Sequence, residues 1–302
     1  MAQLDTQIPA SARRTGLTDT LKVALIGHGI QLSRTPEMHR REGAAQGLSY
    51  IYELRDSALG ADLTIAQMLD QAQADGLSGV NITHPFKQAA LAHLDQLSEA
   101  ARAVQAVNTV VFRGGKRFGH NTDYRGFSEA FRRGLPNAPR GTVLLLGAGG
   151  AGGAVAHALC DLGVETLLIQ DVQLERAEAL AEVLRARGQK VRVSTEPGTA
   201  AASADGIVNA SPVGMASLPG TPIPVDLLEP RHWVADIIYF PLETELLAAA
   251  RARGCRTMDG SGMAVFQAVR AFELFTGIAP DPARMRATFD AIAPTPAGSP
   301  GT

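Results

Sequence analysis

Cysteine is scarce in this chain: Cys160 and Cys255 are the only two in 302 residues. Neither lies in a CxxC pair or at a His-ligand spacing, so neither a disulfide framework nor a zinc site is expected. His28, His84 and His120 also lack ligand spacing, and no metal is expected. Aromatic residues make up only 5%, with a single Trp. Trp233 and the Phe residues at 266–275 therefore read as core, not as a stacking platform. No run of about 18 apolar residues occurs, so no membrane span is expected. Charge of one sign is missing too. Lys and Arg number 28 against 30 Asp and Glu, a formal net charge of -2. With no cationic excess, neither nucleic acid nor an anionic membrane is an expected partner. Residues 1–20 are polar, and Arg13-Arg14 is not followed by the apolar stretch of an export signal, so a disordered tail and a cytoplasmic protein are expected. Residues 294–302 read as a frayed end. A small-molecule substrate and a monomer or homodimer complete the expectation.

What is present is ample apolar content, 45%, and an alternation of strand and helix that argues for an α/β architecture. Strands are expected at 22–27, 50–54, 77–82, 142–147, 166–171, 191–194, 206–209 and 232–238, with a hairpin over 107–112 and 116–120. Helices are expected from Pro36, over 63–74, from Pro85 to His93, and over 123–134, 151–162, 175–187, 263–276 and 282–292. A linker-like stretch, LPNAPRG at 135–141, marks the neighbourhood of the domain change. Residues 1–122 with 260–302 are expected to form a substrate-binding α/β domain completed by C-terminal helices. Residues 123–259 are expected to form a Rossmann-type cofactor domain, with a cleft between the two.

Gly147, Gly149 and Gly152 spell GxGxxG between a strand and a helix. In that context Gly147 permits the tight turn, Gly149 admits a pyrophosphate to backbone N–H groups, and Gly152 lets helix and sheet approach. Ala148, Gly150 and Ala151 complete the turn that would hold the phosphates at a helix N-terminus. Asp171 follows 24 residues after Gly147, near the spacing of the acid that binds ribose hydroxyls, which predicts NAD over NADP. Asp171 is equally suited to cap the next helix. Arg176, one turn on, is within reach of a phosphate.

Three polar segments sit at strand ends in the first half. Ser33 and Thr35 in HGIQLSRTP suit either a ligand carboxylate or the capping of the helix at Pro36, and Thr35 is well placed for capping. Asn81, Thr83 and Lys87 in GVNITHPFK leave a strand. Asn108 in AVNT and Asp123 in GHNTD follow, Asp123 being also a candidate N-cap.

Taken in order, these segments resemble the shikimate dehydrogenases. The pattern (S/T)x(S/T)P…NxTxPxK…AVNT…GxNTD…GxGGxG…NxxPxGM…DxxYxPxxT…DGxxM spans about residues 21–293. LSRTP and the acidic Asp171 are most similar to the NAD-dependent quinate/shikimate branch. The resemblance implies reversible oxidation of the ring 3-hydroxyl of quinate or shikimate. It implies that Ser33, Thr35 and Tyr239 bind the carboxylate. Thr83, Asn108 and Gln267 would bind ring hydroxyls, with Asn81 shaping the pocket, and Lys87 and Asp123 would form the catalytic pair. The segment from Asn209 to Met215, with Ile237, would line the nicotinamide side, and Gly260 and Met263 would close the cleft. Thr35 and His28-Gly29 depart from the Ser and Asn-Pro of many biosynthetic relatives, and Gln170-Asp171 from their basic segment. Two other readings remain: an NADP-dependent biosynthetic shikimate dehydrogenase, and a non-catalytic NAD-binding sensor, which has no need to keep both Lys87 and Asp123.

Overall fold

The computed structural model describes residues 20–59 and 63–292. The expected N-terminal tail, but for its last residue, and the expected frayed end lie outside them. The described residues divide into two compact units: those up to Thr122 together with 265–292, and Asp123–Ala264.

The first unit contains β1 (Leu21–Gly27), α1 (Thr35–Ala45), β2 (Tyr50–Asp56), α2 (Ile65–Ala74), β3 (Gly79–Ile82), β4 (Gln96–Leu97), α3 (Glu99–Val104), β5 (Thr109–Arg113) and β6 (Lys116–His120). Its sheet runs β2-β1-β3-β5-β6-β4. The pairs β2–β1 and β1–β3 are parallel, whereas β3–β5 and β5–β6 are antiparallel. The side chains of β1 alternate between two cores, as the period of two requires. Ala24 and Ile26 pack with Leu69 and Val80, while Val23 and Leu25 pack with Tyr52, Leu274 and Phe275. Burial on both faces explains the unbroken apolar run.

The second unit contains α4 (Asp123–Gly134), β7 (Thr142–Leu146), α5 (Gly150–Asp161), β8 (Thr166–Gln170), α6 (Leu174–Ala186), β9 (Val191–Val193), α7 (Pro197–Ser203), β10 (Gly206–Asn209), β11 (Trp233–Asp236), α8 (Glu245–Ala252) and β12 (Arg256–Met258). All neighbouring strands are parallel, in the order β12-β11-β10-β7-β8-β9. Counted within the unit this is 6-5-4-1-2-3, the dinucleotide-binding order, with its switch point between β7 and β10. Two further helices, α9 (Ser261–Thr276) and α10 (Pro282–Ala291), follow. The first unit takes α9 from Val265 onward and all of α10.

Several expectations change. No helix runs from Pro85 to His93. The chain makes turns at 84–88 and a short 3-10 helix only at Ala89–His93. The carbonyls of His84 and Lys87 are taken by the distant N–H groups of His28 and Val107, at 3.1 and 2.8 Å, so they cannot serve a helix ladder. The linker-like stretch is packed into the second unit, with Leu135 and Ala138 buried and Trp233 Nε1 donating to Pro139 O at 2.8 Å. The helices α3, α7 and α8 and the strands β4 and β12 had no counterpart in the sequence reading.

The first unit also hides a histidine. His39 is fully buried, faces Tyr52 edge-on at 5.0 Å, and shares a 2.9 Å hydrogen bond with the Tyr50 hydroxyl. Burial pushes its pKa down to about 3. His120, desolvated and beside Arg270 and Arg113, is pushed down to about 4. Below pH 6.5 the unfolded chain takes protons that the folded chain refuses, so folding stability falls with pH. Each histidine contributes about 1.4 kcal/mol per pH unit. Between pH 6.5 and 5, His39 alone should cost the first unit about 2 kcal/mol. Urea unfolding followed by a probe in that unit should show this slope, and His39→Phe should remove its share. An unchanged slope in the variant refutes the assignment.

Candidate active site

In the first unit, strand register brings the polar segments to one end of the sheet. Ile26 pairs with Ile82, Asn81 with Thr109, and Thr109 with His120. The carboxyl ends of β1, β3 and β6 thus lie beside the start of β5, the end of a parallel α/β sheet where ligands bind. Gly27 closes β1 because a Cβ there would strike the methyls of Thr83 and Ile30. The loop after β3 is thereby drawn against the loop after β1.

That first loop is held by a carboxylate from β2. Asp56 accepts from Gly29 N at 2.8 Å, Ile30 N at 3.0 Å, Gln31 Nε2 at 3.1 Å and Ala58 N at 3.0 Å. Partial burial raises its pKa, but these donors outweigh it and hold the carboxyl below the usual range. The clamp is therefore present above the ordinary aspartate pKa and is lost as pH falls through the lowered one. Hydrogen bonds to a charged group are worth about 1.5–3 kcal/mol each. Asp56→Ala should speed amide exchange at Gly29 and Ile30 by at least about tenfold, the equivalent of one such bond. Protection equal to wild type would remove the clamp from the account.

Downstream, α1 begins at Thr35 with Arg34 as N-cap and no side-chain capping bond. Thr35 is thus not the cap, and Pro36 is the second helical residue. The Ser33 hydroxyl accepts only a long 3.4 Å bond from Thr35 N. Capping consumes little of either hydroxyl, and both residues are half-buried.

The two asparagines differ. Asn81 accepts from the Tyr52 hydroxyl at 2.7 Å and donates to Asn108 O and Thr109 Oγ1 at 3.2 and 2.9 Å. Both its N–H donors are spent, so it shapes the strand end instead of donating to a ligand. Asn108 Oδ1 takes the Thr122 N–H at 2.8 Å, and its Nδ2 donates to Thr122 Oγ1 at 2.9 Å. This ties the start of β5 to the segment after β6. Thr83 and Lys87 are half-buried in the turn after β3, and Gln267 is half-buried on α9.

In the second unit Asp123 is the first residue of α4 and is buried. The glycine turn has the expected mechanics. Gly147 has φ +101, and a Cβ there would lie 2.8 Å from backbone atoms of Ala210 and Ser211, across the switch point. A Cβ on Gly152 would strike Gly147 O, whereas one on Gly149 would meet nothing within 4 Å. Open space above Gly149 and first-turn N–H groups at Gly150 and Ala151 without intrahelical acceptors fit a pyrophosphate. Asp171 lies just past β8. Its Oδ2 accepts from Ala148 N at 2.7 Å and its Oδ1 from Gln173 N at 2.8 Å. It is not the cap of α6, which is Gln173. The Ala148 N–H is committed to Asp171 and is not offered to a phosphate. Arg176 is exposed in the first turn of α6. Past β11, Ile237 is half-buried and Tyr239 is 37% exposed; Met215 is 40% exposed.

Comparison with known proteins decides the family. The chain is 49% identical over 283 residues to a quinate/shikimate dehydrogenase (NAD(+)) of Corynebacterium efficiens, covering 90% of this chain and 98% of the relative. The chain belongs to the shikimate/quinate dehydrogenase family. Residues 25–110 match the shikimate dehydrogenase substrate binding domain, and 260–288 the shikimate 5'-dehydrogenase C-terminal domain. It is also 51% identical over 285 residues to a shikimate dehydrogenase (NADP(+)) of Streptomyces avermitilis, covering 92% of this chain and 98% of that one. A quinate dehydrogenase from Corynebacterium glutamicum, solved in complex with NAD, superposes with a TM-score of 0.83 at 48% identity, over 90% of this chain and 99% of that one.

Within this family member, one buried carboxylate had been given no role. Asp236, at the end of β11, accepts from Asn209 Nδ2 at 3.1 Å, Ile238 N at 3.0 Å and Thr244 Oγ1 at 2.8 Å. Burial pushes its pKa up against the pull of those donors. Asn209 in turn receives the Ser211 N–H and hydroxyl at 3.0 and 2.7 Å and donates to Val213 O at 2.9 Å. The Asn209 amide therefore folds the 209–213 turn. Gly260 packs where a Cβ would strike the carbonyls of Ile237 and Ile238, and Met263 is buried. The DxxYxPxxT spacing was the available signal for Asp236 and Thr244.

Proposed function

We propose that this dehydrogenase oxidises the ring 3-hydroxyl of quinate and shikimate, reversibly, with NAD as its preferred coenzyme. The reaction class, NAD(P)-dependent oxidation of these acids, is that of the family. The coenzyme preference rests on Asp171. Its carboxylate lies against the glycine turn at the end of β8, where an acid accepts hydrogen bonds from ribose hydroxyls and repels a 2′-phosphate.

Bound NAD supplies the hydride acceptor. The chain supplies the rest. The turn Gly147–Gly152 and the N-terminus of α5 hold the phosphates, and Asp171 holds the ribose. The turn Asn209–Met215, with Ile237, Gly260 and Met263, shapes the nicotinamide side. Ser33, Thr35 and Tyr239 hold the acid's carboxylate, and Thr83, Asn108 and Gln267 its hydroxyls. Lys87 and Asp123 are the catalytic pair. Lys87 takes the hydroxyl proton or stabilises the alkoxide as it forms.

Steady-state kinetics with quinate or shikimate, each with NAD or NADP, test the proposal. Expected is a kcat/KM at least tenfold higher with NAD for one or both acids. A preference for NADP would favour a shikimate dehydrogenase (NADP(+)), the activity named for the Streptomyces relative, with the exposed Arg176 as the phosphate partner. Coenzyme binding without turnover of either acid would indicate a sensor.

A further inference from the structure

An arginine stands between the two hydroxyl residues of the first loop, where its charge would suit a carboxylate ligand. The structure commits it elsewhere. Arg34 is only 7% exposed, its Nη1 donates to Phe289 O at 3.1 Å, and its guanidinium carbon lies 4.6 Å from the centre of the Phe289 ring. Phe289 is two residues from the end of α10, so its carbonyl lies in the last turn of that helix, at its C-terminus. The partial negative charge of a helix C-terminus and the face of the ring both attract a cation. Among the described residues no carboxylate lies within ion-pair distance of Arg34. These two contacts are what hold a buried charge in place.

The rest of the seam fixes its register. At the other end of α1, Glu42 is fully buried and pairs with Arg284 at 2.6 Å, and it also accepts from Asp281 N at 2.9 Å. The helices α1 and α10 are therefore antiparallel neighbours, pinned at Glu42 and again at Arg34. The first turn of α1 needs the second pin, because its N-cap makes no side-chain capping bond.

The geometry points to Arg34 as a positioning residue for the acid substrate. By clamping the first turn of α1 to the end of α10, it sets Ser33 and Thr35 in place for the carboxylate. This rests on the proposed role of those two hydroxyls.

The test is a KM split on Arg34→Met, Arg34→Lys, Phe289→Leu, Thr35→Ala and the Arg34→Met/Thr35→Ala double variant, using quinate and shikimate with NAD. Arg34→Met should raise KM for the acid at least tenfold, with KM for NAD within twofold of wild type. Arg34→Lys should recover part of the loss, because it keeps the charge but not the planar fork. Phe289→Leu should raise the same KM about threefold. In the Thr35→Ala background, Arg34→Met should add less than threefold, because residues acting through one another are not additive. Arg34→Met that lowers Tm but leaves KM for the acid within twofold overturns the proposal, and so does a full tenfold rise on top of Thr35→Ala. If Thr35→Ala itself leaves KM for the acid unchanged, the carboxylate reading fails, and this inference with it. Should Arg34→Met not fold, Arg34→Lys and Phe289→Leu decide by the same split.

Discussion

Replacing Lys87 with Met should lower kcat by a factor on the order of 10²–10⁴, the usual contribution of a positioned proton-transfer group. The KM for NAD should stay within about twofold, since the proposed coenzyme contacts are the glycine turn and Asp171. The physical ground is the chemistry of a secondary alcohol: hydride leaves the carbon only as the hydroxyl gives up its proton. Lys87 is the side chain suited to that work at the carboxyl end of β3. Its backbone is fixed by the 2.8 Å bond from Val107 N to its carbonyl, so substitution should leave the strand end intact. Stopped-flow hydride transfer at 340 nm reads the step directly. A kcat within about threefold of wild type, less than 1 kcal/mol of barrier, would remove Lys87 from the chemistry.

The second large effect is expected at Asp171. Asp171→Ala removes the carboxylate proposed to bind the ribose and also the partner of the Ala148 N–H. Each lost charge-assisted bond is worth about 1.5–3 kcal/mol, at least roughly tenfold. The kcat/KM for NAD should fall roughly 100-fold. Efficiency with NADP should fall less or rise, because the repulsion of a 2′-phosphate is gone. Asp171→Asn separates the two roles: it can still accept from Ala148 N and so keep the turn, while losing the charge. If NAD efficiency in both variants stays within about threefold of wild type, Asp171 does not bind the ribose, and the NAD preference loses its support.

Much of the fold was legible because its signals are local. The strand TVLLL, the glycine turn and the helix after it lie within about 20 residues, and each glycine's task follows from backbone sterics. The short helices were not. PGTAAAS and EAARAV carry too little contrast between apolar and polar faces for a period to show. In α8 the Thr244 cap, which accepts from Leu247 N at 3.3 Å, was the one available cue. The helix expected from Pro85 failed for the opposite reason. The local signal was present, but backbone groups of His28 and Val107, distant in sequence, had claimed its carbonyls.

The candidate site divides along the same line. Residue types that chemistry demands stand out in a chain by themselves: a lysine and an aspartate at strand ends, paired hydroxyls before a proline, an acid 24 residues past a glycine turn. So the family, the coenzyme class and the candidate residues could be read from order and spacing. Which polar atoms are already spent could not. That Asn81 has no donor left, that Ala148 N belongs to Asp171, that Arg34 is turned to α10 and that Asp56 and Asp236 organise loops each depend on at least one partner 23 to 255 residues away. A hydrogen bond needs its donor and acceptor within about 3 Å in space, and distance along the chain does not report that. The chain alone determined which groups are available; folding decided which of them remain uncommitted.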